Sequence, residues 1–404
     1  MVVTGLRGDA AIAGIVELPA VRRPAVPSPM TLEQYGLLAA RLLADAGLDA
    51  SAVDGVITTR IAESSKFVPS TVVEYLGLPV NFAEFVDLGG ANAAAGVWRA
   101  AAAIEMGVCS AVLVVIPGAA ESLPTPRRGP SSSTNYYGAS SPEFGSPQAE
   151  FEIPYGLVGQ NVPYAQIARR YGDTYGYDSA ALAKIAVDQR ENACANPDAV
   201  FHGRPVSIDD VLASPIVADP IHLLEVVMPC QGGAGVLIVD RDLAPRLRHR
   251  PVWITGFGER VTNKSLAYAE DLLVSPMREA AQRAFTMSRL VPEQVDMVSL
   301  YDCYTITVLM TLEDAGFCAR GEGARFIRGH DLTFRGDFPL NTAGGQLSFG
   351  QAGAAGGMHH VCDAARQIMG RAGAAQVSHC DTAFVSGNGG LMSEQVALIL
   401  EGER

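Results

Sequence analysis

An internal duplication constrains the fold of this chain more than any other feature of its sequence. The segment LLADAGLDASAVDGVITT, residues 42–59, has the same layout as FTMSRLVPEQVDMVSLYD, residues 285–302. Likewise, GGANAAAGVWRAAAAIEMG at 89–107 corresponds to GAAGGMHHVCDAARQIMG at 353–370. In both pairs, helical periodicity alternates with short apolar strands, which is typical of α/β units. We therefore predict two duplicated α/β halves, each with a mostly parallel sheet and helices on its faces.

An insertion interrupts the N-terminal half before its last strand. It contains the loop PTPRRGPSSSTNYYGASSPEFGSP, residues 124–147, which is rich in Ser, Pro, Gly and Tyr. Long irregular segments of compact proteins usually cover or build binding sites, and low-complexity disorder is the alternative. The predicted domains are an N-terminal half of residues 1–117 and 222–250, a loop domain of residues 118–221, and a C-terminal half of residues 251–404.

The composition excludes several classes of partner. With 48% hydrophobic and 18% charged residues, this chain of 404 residues has a globular composition. A net charge of -13 with only three lysines argues against binding to nucleic acid or to an anionic membrane, since both require clustered cations. The sequence lacks a run of about 18 apolar residues that would span a bilayer, and its start lacks the layout of a signal peptide. We therefore expect a cytoplasmic protein.

The cysteines and histidines do not form a metal-binding pattern. Seven cysteines are scattered without any C-x-x-C pair, which indicates neither a zinc site nor a disulfide framework. His359 and His360 are adjacent, and neighbouring residues of a helix point about 100° apart, so they are not expected to share a metal. We predict no metal site and packed side chains for both histidines.

A glycine-rich loop in the second half is the first candidate for a functional site. The stretch PLNTAGGQLSFGQAGAAGG, residues 339–357, leads directly into a segment with helical periodicity. Glycines allow close approach to the main chain, and the unpaired N–H groups of a helix N-terminus favour a developing negative charge. The alternative is a tight loop that only allows close packing between helix and sheet.

These features, taken together, resemble the thiolase superfamily over essentially the whole chain. The resemblance also rests on three further motifs: SIDDVLASPIVADPIHLLEV at 207–226, YDCYTITVLMTLEDAGFC at 301–318 and SGNGG at 386–390. The sterol-carrier-protein thiolases and their lipid-transfer-protein relatives are the most similar type. The resemblance implies the thiolase fold, in which two duplicated α/β halves form five layers, αβαβα, with an inserted loop domain.

The catalytic positions of thiolases hold different residues in this chain. Thiolases use a nucleophilic cysteine at the start of a central helix, and Ala91 stands at this position. Their catalytic histidine, in a Gly-His-Pro motif, matches Gln351, which follows Gly350. Their second cysteine belongs to the motif that reads Ser-Gly-Asn388-Gly389 here. Because Ala forms no acyl-enzyme and Gln takes no proton near neutral pH, thiolase chemistry is not expected.

Steroid side-chain aldolases resemble thiolases without the cysteine, and they cleave a β-hydroxyacyl-CoA by a retro-aldol reaction that uses tyrosines. Tyr301 matches one of these tyrosine positions, and Gln351 stands where the other would be. The resemblance therefore implies a carbon–carbon lyase that acts on a branched or steroid-like coenzyme A thioester, without a covalently bound cofactor. The alternatives are a thiolase-type acyltransferase with a displaced nucleophile, for which Cys303 is the candidate, and a non-catalytic CoA-binding subunit.

The predicted roles centre on Tyr301 as the residue that transfers the proton. We expect amides of the loop at 344–357 to stabilise its oxygen, and Asp302 to orient it or a neighbouring N–H group. Gln351 is expected to hold the thioester oxygen. The further substrate or oxyanion groups predicted for the site are Asn92, Gly350, Asn388 and Gly389.

The resemblance also implies partners. Members of this family pair through an edge strand of the first half, so we expect a homodimer, because an apolar edge would otherwise aggregate. The related aldolases work with a small acyl-CoA-binding partner that combines a zinc ribbon with an oligonucleotide-fold barrel. We expect such a partner here, because this acidic chain supplies few cations for the CoA phosphates.

Overall fold

The computed structural model describes residues 5–25, 29–118, 152–157 and 159–402. Within these ranges the strands are β1 Ala10–Val21, β2 Gly55–Thr58, β3 Phe82–Phe85, β4 Ala111–Pro117, β5 Ile216–Ala218, β6 Ile221–His222, β7 Gln231–Asp240, β8 Val252–Val261, β9 Met297–Ser299, β10 Thr382–Gly389 and β11 Glu394–Glu401. The helices are α1 Thr31–Ala46, α2 Val68–Leu76, α3 Asn92–Glu105, α4 Asn161–Tyr175, α5 Ser179–Cys194, α6 Ile208–Ala213, α7 Met277–Ser288, α8 Thr305–Asp314, α9 Gly323–Gly329 and α10 Gly356–Ile368.

The strand order confirms the duplication. Nine strands are hydrogen-bonded in the order β3-β2-β4-β7-β1-β8-β11-β10-β9. The first half therefore contains β2-β4-β7-β1, and the second half repeats this order as β9-β10-β11-β8. The two halves join where β1 and β8 pair at only two positions, Ala11 with Trp253 and Ile12 with Val252.

The prediction of mostly parallel sheets is wrong. Strand β2 runs parallel to β3 and β4, and β9 runs parallel to β10. The other pairings within the halves, β4 with β7, β7 with β1, β8 with β11 and β10 with β11, are antiparallel. Strands β10 and β11 follow each other after a turn of four residues, and so short a connection can only join antiparallel strands.

The helices and sheets form the five predicted layers. Helices α3 and α10 lie between the two halves of the sheet and share one apolar core. Helices α1 and α2 cover the outer face of the first half, and α7 and α8 cover the outer face of the second. In β4, Val112 and Val114 belong to the central core, while Leu113 and Val115 belong to the outer one. This strand is apolar throughout because both of its faces are buried.

The described part of the insertion holds α4 to α6 and the small β5–β6 hairpin, all between β4 and β7. Helix α5 packs against α8 and against a π-helical turn, Gly345–Phe349, in the glycine-rich loop. The segment 124–147, predicted to cover a site, lies outside the described residues. Among the described residues, no helix is both long and apolar enough to cross a membrane.

Candidate active site

The candidate site lies where the end of β9 meets the starts of α3 and α10. Tyr301 follows β9, and its hydroxyl lies directly against Gly90: a Cβ atom on Gly90 would be 2.2 Å from the hydroxyl oxygen and 2.4 Å from the backbone oxygen of Asn388. A Cβ on Gly357 would be 2.3 Å from the backbone oxygen of Gly90. Both positions therefore need glycine, because the two helix starts approach each other around the tyrosine hydroxyl.

Ala91 occupies the N-cap position of α3 and is fully buried. This residue matches the nucleophile position of thiolases, and its methyl side chain supplies no reactive group. Because residue 91 has no nucleophilic group, no acyl-enzyme can form at this position, and any reaction at the site must proceed without one there.

The structure brings Tyr301 and Gln351 together. The Nε2 atom of Gln351 donates a hydrogen bond of 3.5 Å to the Tyr301 hydroxyl. The backbone N–H of Tyr301 donates to Ser386 Oγ in β10 at 2.9 Å, which fixes the main chain at the end of β9. The tyrosine is 6% exposed, so its hydroxyl lies in a nearly enclosed environment.

Asp302 holds the glycine-rich loop. Its buried carboxylate accepts hydrogen bonds from the backbone N–H groups of Gln346 at 2.8 Å and Leu347 at 3.1 Å. The Gln351 N–H donates instead to the backbone oxygen of Met228 at 2.7 Å. The prediction that these loop amides stabilise Tyr301 is therefore wrong for all three, because the π-helical turn directs two of them to Asp302 and the third pairs with the segment before β7.

Asn388 takes part in a second polar cluster. Its Nδ2 donates to the Tyr164 hydroxyl at 3.1 Å and lies 3.5 Å from Cys303 Sγ, and its Oδ1 accepts from Gln395 Nε2 at 2.8 Å. The Tyr164 ring stacks on Tyr304 with centroids 4.4 Å apart. Sequence reasoning missed Tyr164, because it lies in α4 of the insertion and carries no recognisable local motif.

Burial controls the titration of this cluster. It raises the pKa of Tyr164 well above the ordinary value, so the phenol stays protonated. It also raises the pKa of Cys303 to about 12, so the thiol is not ionised near neutral pH. Since the thiolate is the nucleophilic form, Cys303 is poorly suited to form an acyl-enzyme.

The remaining predicted residues have mainly structural contacts. The Asn92 side chain accepts a hydrogen bond from the Leu88 N–H and so fixes the entry to α3. A Cβ on Gly389 would be 2.1 Å from the Leu88 backbone oxygen, and one on Gly350 would be 2.7 Å from Cys230 Sγ. Glycine at these two positions allows close packing of the main chain, which is the alternative role that the sequence left open for the glycine-rich loop. Contact of these residues with the substrate stays a prediction.

Comparison with known proteins gives relatives that match most of the chain. Residues 258–402 match the family model described as thiolase C-terminal domain-like. The steroid side-chain-cleaving aldolase of Thermomonospora curvata is 32% identical over 376 residues, which are 90% of this chain and 91% of that protein. The 17-hydroxy-3-oxo-4-pregnene-20-carboxyl-CoA lyase of Mycobacterium tuberculosis is 31% identical over 371 residues, which cover 90% and 92% of the two chains.

Solved structures agree with these relatives. The Ltp2-ChsH2(DUF35) aldolase has a TM-score of 0.85 at 29% identity, with 99% of both chains covered. A monomeric SCP2-thiolase-like protein from Mycobacterium smegmatis shares the fold, with a TM-score of 0.72 at 21% identity over 98% of this chain and 78% of its own. As the motifs predicted, the chain belongs to the thiolase superfamily, to the sterol-carrier-protein-like type that includes the steroid side-chain aldolases.

Proposed function

We propose that this chain cleaves a carbon–carbon bond of a β-hydroxyacyl-CoA by a retro-aldol reaction, without a cysteine acyl-enzyme. One observation carries the proposal: α3 starts with Ala91 in place of a nucleophile, and the Tyr301 hydroxyl lies against the neighbouring Gly90. The two relatives that match over most of the chain are named as an aldolase and as a CoA lyase, which supports the same class of reaction.

Proton transfer by Tyr301 accounts for the chemistry. In the phenolate form its oxygen acts as a base and removes the proton of the substrate β-hydroxyl. The carbon–carbon bond then breaks, the former hydroxyl oxygen becomes the carbonyl of the released ketone or aldehyde, and the bonding electrons form the thioester enolate. The phenol returns the proton to the α-carbon of the enolate, so the step consumes no net proton or electron.

Gln351 is assigned to the thioester oxygen. Its amide nitrogen contacts the Tyr301 hydroxyl, and the residue is half-buried within the glycine-rich loop. An N–H donor fixed at this place would stabilise the negative charge that develops on the oxygen as the enolate forms. Asp302 contributes by holding the loop, and Asn388 and Asn92 are proposed as secondary polar groups.

A branched or steroid-like acyl group on coenzyme A is the proposed substrate, in line with the substrates in the names of the relatives. The reaction as written needs no covalently bound cofactor. An acyltransferase that uses Cys303 is disfavoured, because burial raises the pKa of this thiol to about 12.

Two partners belong to the proposal. The solved aldolase with the same fold is named as an assembly with a DUF35 protein, which supports a small acyl-CoA-binding partner built from a zinc ribbon and an oligonucleotide-fold barrel. A homodimer through the first half is supported by the open edge at β3, where Phe85 is 42% exposed. Light scattering at micromolar concentration tests the dimer, and a monomeric mass would reject it.

A cytoplasmic location completes the proposal. All seven cysteines lie in the described ranges and carry free thiols, as is usual in a reducing compartment. Fractionation of cells that express the tagged chain would test the location, and recovery outside the cytoplasm would contradict it.

Product analysis tests the reaction. The chain should convert a steroid-like 3-hydroxyacyl-CoA into a carbonyl compound and a shortened acyl-CoA, measured by mass spectrometry with and without a co-expressed partner. The intact protein should show no acyl adduct. An adduct would favour the acyltransferase instead, and absence of turnover in both preparations would favour a non-catalytic CoA-binding subunit.

A further inference from the structure

A fully buried imidazole lies directly behind the candidate site. His360, in the second turn of α10, has its ring centroid 5.8 Å from that of Tyr301. Its Nε2 atom lies 3.1 Å from Asp302 Oδ1, and its Nδ1 atom lies 3.0 Å from Ser299 Oγ. The sequence indicated only a packed histidine here, but both ring nitrogens have polar partners within hydrogen-bond distance.

The partners fix how the ring is oriented. Both oxygens of Asp302 already accept backbone N–H groups, so His360 Nε2 is assigned as the donor toward this carboxylate, and the Gln346 amide nitrogen near the same atom then makes no hydrogen bond to it. On the other side, Ser299 Oγ lies 3.4 Å from Asp363 Oδ2, and Asp363 Oδ1 accepts from Thr342 Oγ1 at 2.7 Å. The imidazole is thus held at both ends by a chain of buried polar groups, and rotation of the ring would break both contacts.

Asp302 transmits this constraint to the site. The same carboxylate that faces His360 also accepts the N–H groups of Gln346 and Leu347, and the Gln346 side-chain amide lies 3.2 Å from His360 Nε2. Gln351 follows this turn after Gly350, while Tyr301 directly precedes Asp302 in the chain. A single imidazole therefore connects α10, the end of β9 and the loop that carries the second candidate residue.

The neighbouring histidine provides a contrast on the same helix. His359 Nδ1 pairs with Glu17 of β1 at 2.7 Å, its ring stacks on Phe349, and Arg366 pairs with the same carboxylate at 2.5 Å. The contacts with Glu17 join the two halves of the molecule, while the stack on Phe349 reaches the end of the π-helical turn and needs only an aromatic ring. His359 has the same side chain and nearly the same burial as His360, but its polar partner is Glu17 and not Asp302.

We propose that His360 is a positioning residue for the carbon–carbon cleavage, which it serves by holding Asp302 and through it the relative placement of Tyr301 and Gln351. This inference rests on the proposed function and deepens it. His360 does not itself contact the reacting atoms in this scheme. Its removal should therefore impair turnover more than substrate binding, because the proposed contact of Gln351 with the thioester oxygen strengthens only as the enolate charge develops.

Steady-state kinetics of three variants test the proposal. His360→Phe keeps a ring of similar size and loses both polar contacts, so kcat should fall about 10- to 100-fold with KM within about threefold, by analogy with the partners that orient metal-bound histidines. His360→Gln retains an amide that can donate to Asp302, so it should recover a clear part of this loss. His359→Phe is the matched control, and it should keep kcat within about twofold while its melting temperature falls.

Two results would overturn the positioning role: His360→Phe with the kcat of His359→Phe, or His360→Gln no more active than His360→Phe. If His360→Phe does not fold, Ser299→Ala replaces it, because it removes only the hydroxyl that faces Nδ1. A loss of kcat that exceeds any change in KM supports the proposal for this variant, and an unchanged kcat rejects it.

A spectroscopic measurement separates this inference from the proposed function. With histidine labelled by nitrogen-15, the wild-type chain should show a low-field imidazole N–H signal from the bond to Asp302, which persists in His359→Phe and disappears in His360→Gln. If the signal is present but no β-hydroxyacyl-CoA is cleaved, the proposed function fails while the contact stands. If cleavage occurs and the signal is absent from the wild type, the positioning role fails alone.

Discussion

The starts of α3 and α10 occupy equivalent places in the two halves, yet they differ in chemistry. Around the start of α3 the residues are small, and the one polar side chain, Asn92, turns back to the Leu88 N–H. Around the start of α10, Gln346 and His360 make a buried polar network with Asp302, and Gln351 contacts the Tyr301 hydroxyl. The comparison teaches that the first half supplies the closely packed backbone on one side of the candidate site, which we call the wall, while the second half supplies the polar side chains.

Replacement of the tyrosine tests the second half of this comparison and should have the largest effect. Tyr301→Phe removes the hydroxyl and keeps the ring, so turnover should fall about 100- to 10,000-fold, the usual range for general acid–base catalysis. The melting temperature should change little. Near wild-type turnover of a folded Tyr301→Phe protein would mean that the hydroxyl is only a packing element and that the second half does not hold the acid–base group.

Removal of the Glu17 charge, which connects β1 of the first half to α10 of the second, should cost the most stability. Burial raises the pKa of Glu17, but Arg366 and His359 outweigh it and lower the pKa to about 2, from an ordinary value of 4.5. At about 1.4 kcal/mol per pKa unit, Glu17→Gln should lower the free energy of unfolding by about 3 kcal/mol at neutral pH. Urea unfolding monitored by circular dichroism measures this loss.

The same ion pair predicts how the stability of the protein depends on pH. Because the folded-state pKa of Glu17 is depressed, its contribution is fully present above pH 4.5 and is lost as the pH falls toward 2. The difference in stability between the wild type and Glu17→Gln should therefore shrink in acid. An acid profile with a constant difference would show that the charge of Glu17 is not what holds α10 against β1.

A single methyl group tests the wall formed by the first half. Gly90→Ala would place Cβ 2.2 Å from the Tyr301 hydroxyl oxygen, so the phenol or the helix start must shift. We expect overpacking to cost about 1–3 kcal/mol of stability and turnover to fall with it. Gly107→Ala is a control for the effect of adding a methyl group to a glycine, because it has open space around it although its φ of 71° adds strain. Equal turnover in the two variants would show that the close fit at Gly90 has no catalytic importance.

The smallest effect is expected at the buried thiol. Cys303→Ala should leave turnover within about tenfold, which corresponds to roughly 1.4 kcal/mol in the barrier. Part of any change would come from the lost contact with Asn388. A loss of several orders of magnitude in a folded protein would assign a nucleophile to the second half and would restore the acyltransferase interpretation.

The sequence predicted the layers of the fold better than the direction of its strands. Repeated motifs indicated two equivalent halves, because the repeat is a local pattern, and the resemblance to thiolases implied the five layers. Strands such as β4 are buried on both faces, so their apolar runs carry no mark that separates parallel from antiparallel neighbours. The last strand, β11, was not predicted at all, although it follows β10 closely.

At the site, the sequence predicted the residues that match motifs, and missed those that only tertiary packing brings there. Tyr301 and Gln351 were predicted together and lie in contact. His360 was interpreted as a packed residue because periodicity reports burial and not hydrogen bonding, and Tyr164 comes from the insertion. Likewise, the destination of the loop amides depends on the π-helical turn, which the glycine content alone does not specify.

The seam at β1 and β8 has a consequence for the symmetry of the molecule. These strands are equivalent in the two halves and run antiparallel, so an approximate two-fold axis passes through the chain where they meet. Thr58 is the counterpart of Tyr301 under this operation, and its hydroxyl is already bound to the backbone oxygen of Glu84. The pseudo-symmetric scaffold therefore offers two equivalent corners: one carries Tyr301, whose hydroxyl reaches Gly90 in the first half, and the other carries a threonine whose hydroxyl already has a backbone partner.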